Sequence, residues 1–454
     1  MAMRLGLILI ALGACGGGNS VGGVDAAPND GTVGDDAPSI DAPPVDPGPT
    51  NVRLTLVDRP NMPESFELIV AYQDGDGDWT AAPAPNGDTY QFSIASGRFG
   101  YAWTCHTTGS IVVGNTSDLR FVKLGFYSTD EHTALVERVP AGCTEQQPTT
   151  QLGGAVAHRN FNDRYVATWG EVSAGVDQFG NYNLAVAPGT HDLIVSHVIS
   201  GGAFNDAIVD SSVVVRDVTV GASGATRNID FATSIKALTF PVTAVTTGSQ
   251  RASTATTLVT ASGTALAMVR DTSAPFETNS LAVTQARATD VYSQDIAVVS
   301  GAATAITSNA TTTPAAITFV APAPLGAASS STVSVDPYPQ IKTSWQAYPS
   351  AIGYRWTAVQ QLGGFQCGTF NSNCVIAWTA DIGAGSGAHA FQMPDLSEVE
   401  GWSANLQFVT GTAITGDAQA FTSTAGPVDF PLDVPAPGTK RVIVRTAWTT
   451  TPAM

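Results

Sequence analysis

Asp177-Gln178-Phe179-Gly180-Asn181-Tyr182-Asn183-Leu184-Ala185-Val186-Ala187-Pro188-Gly189-Thr190-His191-Asp192-Leu193-Ile194-Val195 reads as two strands joined by a turn. Tyr182, Leu184 and Val186 occupy every second position, so one face of the first strand is apolar and the other is not. Pro188-Gly189 turns the chain, and Leu193 and Val195 return along the same face. The two-residue period recurs in Val52-Leu54-Leu56, Phe66-Leu68-Val70-Tyr72, Tyr90-Phe92-Ile94 and Phe99-Tyr101-Trp103-Cys105. No long stretch shows the i, i+3, i+4, i+7 spacing of an amphipathic helix. The fold class is therefore all-β, and 454 residues are too many for one ordinary core. Tandem antiparallel β-sandwich domains are expected.

The pattern D-x-x-G-x-Y-x-L-x-V-x-P-G-T-x-D-L-x-V, here Asp177 to Val195, resembles the carboxypeptidase regulatory-like repeat, a transthyretin-like β-sandwich. The resemblance assigns that module to residues 152–235 and implies an accessory domain with no catalytic set. One departure is the long insert between Val156 and Asp177, which leaves room for a loop with a role of its own. Residues 51–148 read as a first β-sandwich, and residues 236–330 as a third β domain ending in a linker, Ala321-Pro322-Ala323-Pro324 and then Gly326 to Ser331. In residues 331–454, the run from Ile341 to Trp356 is similar to the B and C strands of fibronectin type III domains. That resemblance implies that a tryptophan and then a tyrosine of this run pack between two sheets and that Arg441 to Trp448 is the closing strand. The Cys367 and Cys374 hairpin and the long span from Thr412 to Lys440 depart from it.

Ahead of these domains, Arg4 precedes an apolar or small run from Leu5 to Ala14. At helical rise this run reaches only about half of a ~30 Å hydrocarbon core, as a signal h-region does. Leu12-Gly13-Ala14-Cys15 resembles the lipobox of bacterial lipoproteins, which implies removal of residues 1–14 and acylation of Cys15. The alternative is an ordinary secretory signal cut near Ala14 with Cys15 incidental. Residues 15–50 then form a tether of Gly, Asp, Ala and Pro with almost nothing apolar to bury, and it is expected to be disordered. As a flexible coil it averages about 35 Å end to end. Gly16 is not the aspartate that typically retains lipoproteins in the inner membrane, so the resemblance implies the outer membrane.

Setting Cys15 aside leaves Cys105, Cys143, Cys367 and Cys374, an even set suited to an oxidising compartment. Pairing close in sequence, Cys105 with Cys143 and Cys367 with Cys374, is favoured over four buried thiols. A formal charge of -18 argues against nucleic acid or anionic lipid surfaces as partners.

Three features carry potential chemistry. Asp74, Asp76 and Asp78 alternate with glycines as calcium-loop ligands do, although the same residues serve a hairpin turn and no EF-hand frame surrounds them. Calcium is the one cofactor under consideration. Trp378, Trp402 and Trp448 are candidates for a sugar-stacking platform, set against ordinary core packing. The six histidines assemble no metal set, and no G-x-S-x-G, H-E-x-x-H or P-loop motif occurs. The expected function is non-enzymatic binding of a protein or envelope polysaccharide by a lipid-anchored chain. The alternative is a hydrolase or metal-dependent enzyme whose site forms between domains.

Overall fold

Val52, Leu54 and Leu56 are fully buried, and the residues between them are not. That alternation recurs from strand to strand and builds two-layer sandwiches in a computed structural model. The structure describes residues 49–57, 68–112, 115–139, 149–170, 172–199, 207–246, 250–272, 274–363, 366, 373–384, 389–424 and 436–453. Among these residues there is no α-helix, and short 3-10 turns such as Phe231–Thr233 and Ala404–Leu406 interrupt the strands. The signal segment, Cys15 and the tether as far as residue 48 lie outside the described residues, as do Phe66, Cys143 and Cys367.

Three successive stretches repeat one strand order. In the first, Thr50–Val57 runs antiparallel to Thr89–Ile94 and parallel to Ala134–Arg138. Facing this small sheet, Thr80–Ala81, Val70–Asp74, Arg98–Val112 and Asn115–Ser128 pair in that order. In the second, Thr150–Ala157 runs antiparallel to Asn181–Val186 and parallel to Ala225–Thr226, opposite Val172–Gly175, Arg164–Trp169, Gly189–Ile199 and Ala207–Val220. In the third, Leu238–Val245 lies between antiparallel Phe276–Ser280 and parallel Ile317–Val320. It faces Ala265–Asp271, Arg251–Val259, Val291–Ser300 and Ala303–Thr311. In each copy the opening strand is central in the small sheet, antiparallel to the fourth strand and parallel to the last.

The fourth sandwich is wired differently. Ser329–Ser334, Gln340–Ser344 and Ala390–Gln392 form one sheet, and Asn373–Gly383, Gly353–Gly363, Ile414–Ser423 and Lys440–Thr450 the other. Trp345 and Tyr354 are buried between them with ring centroids 5.8 Å apart. Three details of the sequence reading change. The stretch between Val156 and Asp177 is not a loop, because it holds Arg164–Trp169 and Val172–Gly175. The linker is partly structural, since Leu325 is buried in the fourth core and Ser329–Ser331 already belong to a strand. The span from Thr412 to Lys440 contains Ile414–Ser423, whose mixture of Gly, Asp and Gln masked its alternation.

The large sheets join edge to edge. Asn373–Gly383 runs parallel to Asn115–Ser128 from Asn373 beside Ser117 to Ile382 beside Phe126. Ala303–Thr311 pairs with Lys440–Thr450, and Ala207 and Ile208 pair with Arg270 and Val269. One hydrogen-bonded path therefore runs from Val172–Gly175 to Thr80–Ala81, and the spatial order of the sandwiches is second, third, fourth, first. The path does not close into a barrel, because among the described residues each of these end strands has one neighbour.

Candidate functional site

The joint between the first and fourth sandwiches gathers the densest buried charge. Tyr101, Gly125, Asp381 and Arg355 stand side by side across four strands. Gly125 allows this arrangement, since a Cβ there would overlap the Tyr101 ring. Lys123, one of only four lysines in the chain, is 5% exposed and pairs with Asp381, which is 1% exposed. Arg355 grips the same carboxylate with Nε at 2.6 Å and Nη2 at 2.9 Å. Glu137, from the facing small sheet, lies 3.9 Å from Lys123 and accepts a hydrogen bond from the Tyr101 hydroxyl.

Burial pushes the Asp381 carboxyl up, but the Arg355 and Lys123 charges beside it outweigh burial and hold it below the usual range. Burial raises Glu137, offset only in part by Lys123. Burial and the Glu137 charge together raise Tyr101 well above a free phenol. Sequence reasoning missed this cluster. Asp381 and Arg355 fall on the parity opposite the buried Trp378, Ala380, Trp356 and Ala358 and read as solvent-facing until two distant sandwiches dock, whereas Lys123 shares its strand face with Phe121 and Tyr127 inside the first sandwich. The one available signal was isolated, opposite charges in mid-strand within a chain only 13% charged.

At the end of this joint lies a cleft of about 230 Å³, whose lining includes Gln73, Asp76, Arg98 and Phe126 from the first sandwich and Phe391 and Gln392 from the fourth. The Asp-Gly run forms its rim as a turn between Val70–Asp74 and Thr80–Ala81. Gly75 supplies the positive φ of +59°, and the Asp74 carboxylate accepts the amides of Ala95 and Ser96 at 2.9 and 3.0 Å. Burial raises Asp74, but its hydrogen bonds with Ser96 and Ala95 together outweigh burial and hold the carboxyl below the usual carboxylate range. Asp76 pairs with Arg98 at 3.0 Å. Two of the three carboxylates predicted to share a calcium ion, Asp74 and Asp76, thus point to different protein partners. No group of three His, Cys, Asp or Glu side chains gathers around a metal-sized point among the described residues.

The tryptophan platform is corrected by burial. Trp378 is fully buried and its Nε1 donates to the Leu406 carbonyl at 2.8 Å. Trp448 is 5% exposed and stacks on Trp356 with centroids 5.6 Å apart. Trp402 is half-buried and packs against the Trp378 ring at 5.7 Å. Strand parity turns Trp378 and Trp448 inward, and Trp402, in the segment before the 3-10 turn Ala404–Leu406, packs on Trp378 from the loop, so packing uses the faces a sugar would need.

Histidines lie apart in separate pairings: His158 with Asp230 at 2.6 Å, and His197 between Asp163 and Asp210 at 3.4 and 3.3 Å. Cys105 and Cys374 are buried and disulfide-bonded. Cys105 stands beside Phe121, which stands beside Ala377, an odd number of residues from Cys374. The two cysteines therefore occupy opposite faces of the shared sheet and cannot bridge to each other. Their partners lie outside the described residues.

A second charged joint locks the second sandwich to the third. Arg216 contacts Asp192 and Asp290, each at 2.7 Å, and Ile194 and Val209 pack on Leu258, Met268 and Tyr292.

No protein-family model matches this sequence, and no curated protein matches it. Among solved structures, a DUF3823 family protein from Bacteroides ovatus is similar over 34% of this chain and 92% of its own, at 13% identity and a TM-score of 0.11. A likeness this slight bears on neither fold nor function. The chain is an all-β protein of tandem β-sandwiches.

Proposed function

We propose that this chain is an exported, lipid-anchored, non-enzymatic binding protein of the outer membrane, holding a protein or an envelope polysaccharide against its fused sandwiches. The observation that carries the reading is the joint between the first and fourth sandwiches. Its buried charges satisfy one another and hold two modules in register beside a cleft of rings and planar polar groups. Lys123, Asp381 and Arg355 act there as structure, since each charge is already paired within the protein. Three copies of one strand order support the reading of accessory modules that the Asp177 to Val195 pattern suggests. The strand order of the last sandwich and the Trp345 and Tyr354 pair support the fibronectin type III-like reading.

Cys15 is the proposed lipid anchor, residues 15–50 the tether, and Cys105–Cys143 and Cys367–Cys374 the proposed disulfides. Non-reducing peptide mapping of membrane-extracted protein checks all three bonds, and an unmodified Cys15 would remove the anchor. The binding role is tested by immobilising residues 51–454 against envelope polysaccharides and outer-membrane proteins. Specific recovery of a component is expected; recovery of nothing above a denatured control overturns the reading.

A further inference from the structure

We propose that the cleft between the first and fourth sandwiches is a subsite for one neutral pyranose unit. The proposal deepens the binding role above and rests on it. Size is the first argument. A volume of about 230 Å³ lies below the roughly 300–1,000 Å³ of pockets that enclose drug-sized ligands, and it suits a single sugar ring.

Chemistry is the second argument. A pyranose has an apolar C–H face and a rim of hydroxyls that both donate and accept. Phe126 is half-buried and lines the cleft, with its ring fixed edge-on by Trp79 at 6.0 Å and by Phe391 at 5.6 Å. It offers a rigid apolar surface for the C–H face. Gly100 lets these groups converge, because a Cβ there would come within 3.0 Å of Trp79 and 3.1 Å of Phe126. Around the ring stand Gln73, Gln392, Asp76 and Arg98, all planar polar groups that match hydroxyl pairs in donor and acceptor number.

Charge is the third argument. Asp76 and Arg98 offset one another, so the cleft favours a neutral ligand. Their side chains are 88% and 59% exposed, and an ion pair so wet is weak enough to open toward a bound hydroxyl. The turn beneath them is held by the Asp74 carboxylate and by a 2.7 Å bond from Gln73 Nε2 to the Gly77 carbonyl, so the rim is formed before a ligand arrives. Because both sandwiches contribute, the subsite exists only when they are joined.

The test is saturation-transfer NMR on the whole chain with methyl α-glucoside, methyl α-galactoside, methyl α-mannoside and N-acetylglucosamine. At least one should receive transfer to its ring protons, and Arg98→Ala and Gln392→Ala should each weaken binding about tenfold while the melting temperature holds. Phe126→Leu, which keeps apolar volume and removes the flat ring, should weaken it as well. Transfer to none of the four sugars overturns the proposal, as does transfer that the rim variants leave unchanged. If no sugar binds yet an envelope protein is captured by residues 51–454, the subsite fails and the binding role stands. If a sugar binds at the rim but no envelope component is captured, the subsite stands and the partner assignment fails.

Discussion

Asp381 holds two cations within a sheet, and the energetics of the joint turn on that one carboxylate. Removing one member of a buried ion cluster leaves the others charged and dry, which typically costs about 3–5 kcal/mol. Asp381→Asn is therefore expected to lower stability by about that amount in urea titrations at neutral pH. Its carboxyl is held below the unfolded value, so its stabilisation is complete above about pH 4 and is lost as pH falls through the folded value. The Asn variant should accordingly show a flatter acid limb than the parent. Glu137 has the opposite sign, since burial raises it and its ionised form is disfavoured in the fold. Glu137→Gln should stay within about 1 kcal/mol of the parent at neutral pH. Equal losses for the two variants would show that Asp381 does not organise the cluster.

At the scale of elements, each of the first three sandwiches needs a parallel partner for its opening strand, and a parallel neighbour cannot follow directly through a hairpin. The chain must cross to the other sheet and return, which is why the last strand of each copy completes the small sheet. The same parallel geometry recurs between Asn115–Ser128 and Asn373–Gly383, this time across two sandwiches. Strands in the middle of a continuous sheet should open only with the whole, whereas end strands fray. Native-state hydrogen exchange should find the amides of residues 119–126 and 375–382 among the slowest, and those of Thr80–Ala81 and Val172–Gly175 among the fastest. Rapid exchange at residues 375–382 while Val52, Leu54 and Leu56 stay protected would mean that the inter-sandwich pairing does not persist.

For the molecule as a whole, the joints make four sandwiches depend on one another. The back of the first sandwich presents Ala71, Ala102, Val122 and Leu124 to the fourth core, and all four are buried there. A chain ending at residue 330 would expose this apolar face, the free edge of Asn115–Ser128 and the charges of Lys123 and Glu137. It is expected to bind a hydrophobic dye and to aggregate, and the full chain is expected to do neither. A monomeric, dye-silent product with a sharp unfolding transition would show that the sandwiches are independent.

The sequence by itself determined the class of element and much of the core. Period-two alternation is local, so the inward faces of Val52-Leu54-Leu56 and Tyr182-Leu184-Val186 were legible without coordinates, and the fibronectin type III resemblance implied a core place for Trp345. Strands such as Ile414–Ser423, whose inward parity after Ile414 is Gly416, Ala418 and Ala420, carried too little contrast to be seen. Tertiary structure decided the rest. The shared strand order of the first three sandwiches is a property of hydrogen-bond partners far apart in the chain, and no short pattern records it. Burial of Asp381 and partial burial of Arg355 arise from contact between the first and last sandwiches, so residues polar by parity became interior by docking and met Lys123 from the first core. The cleft had no local signature for the same reason: its walls are more than two hundred and fifty residues apart in sequence and meet only across that joint.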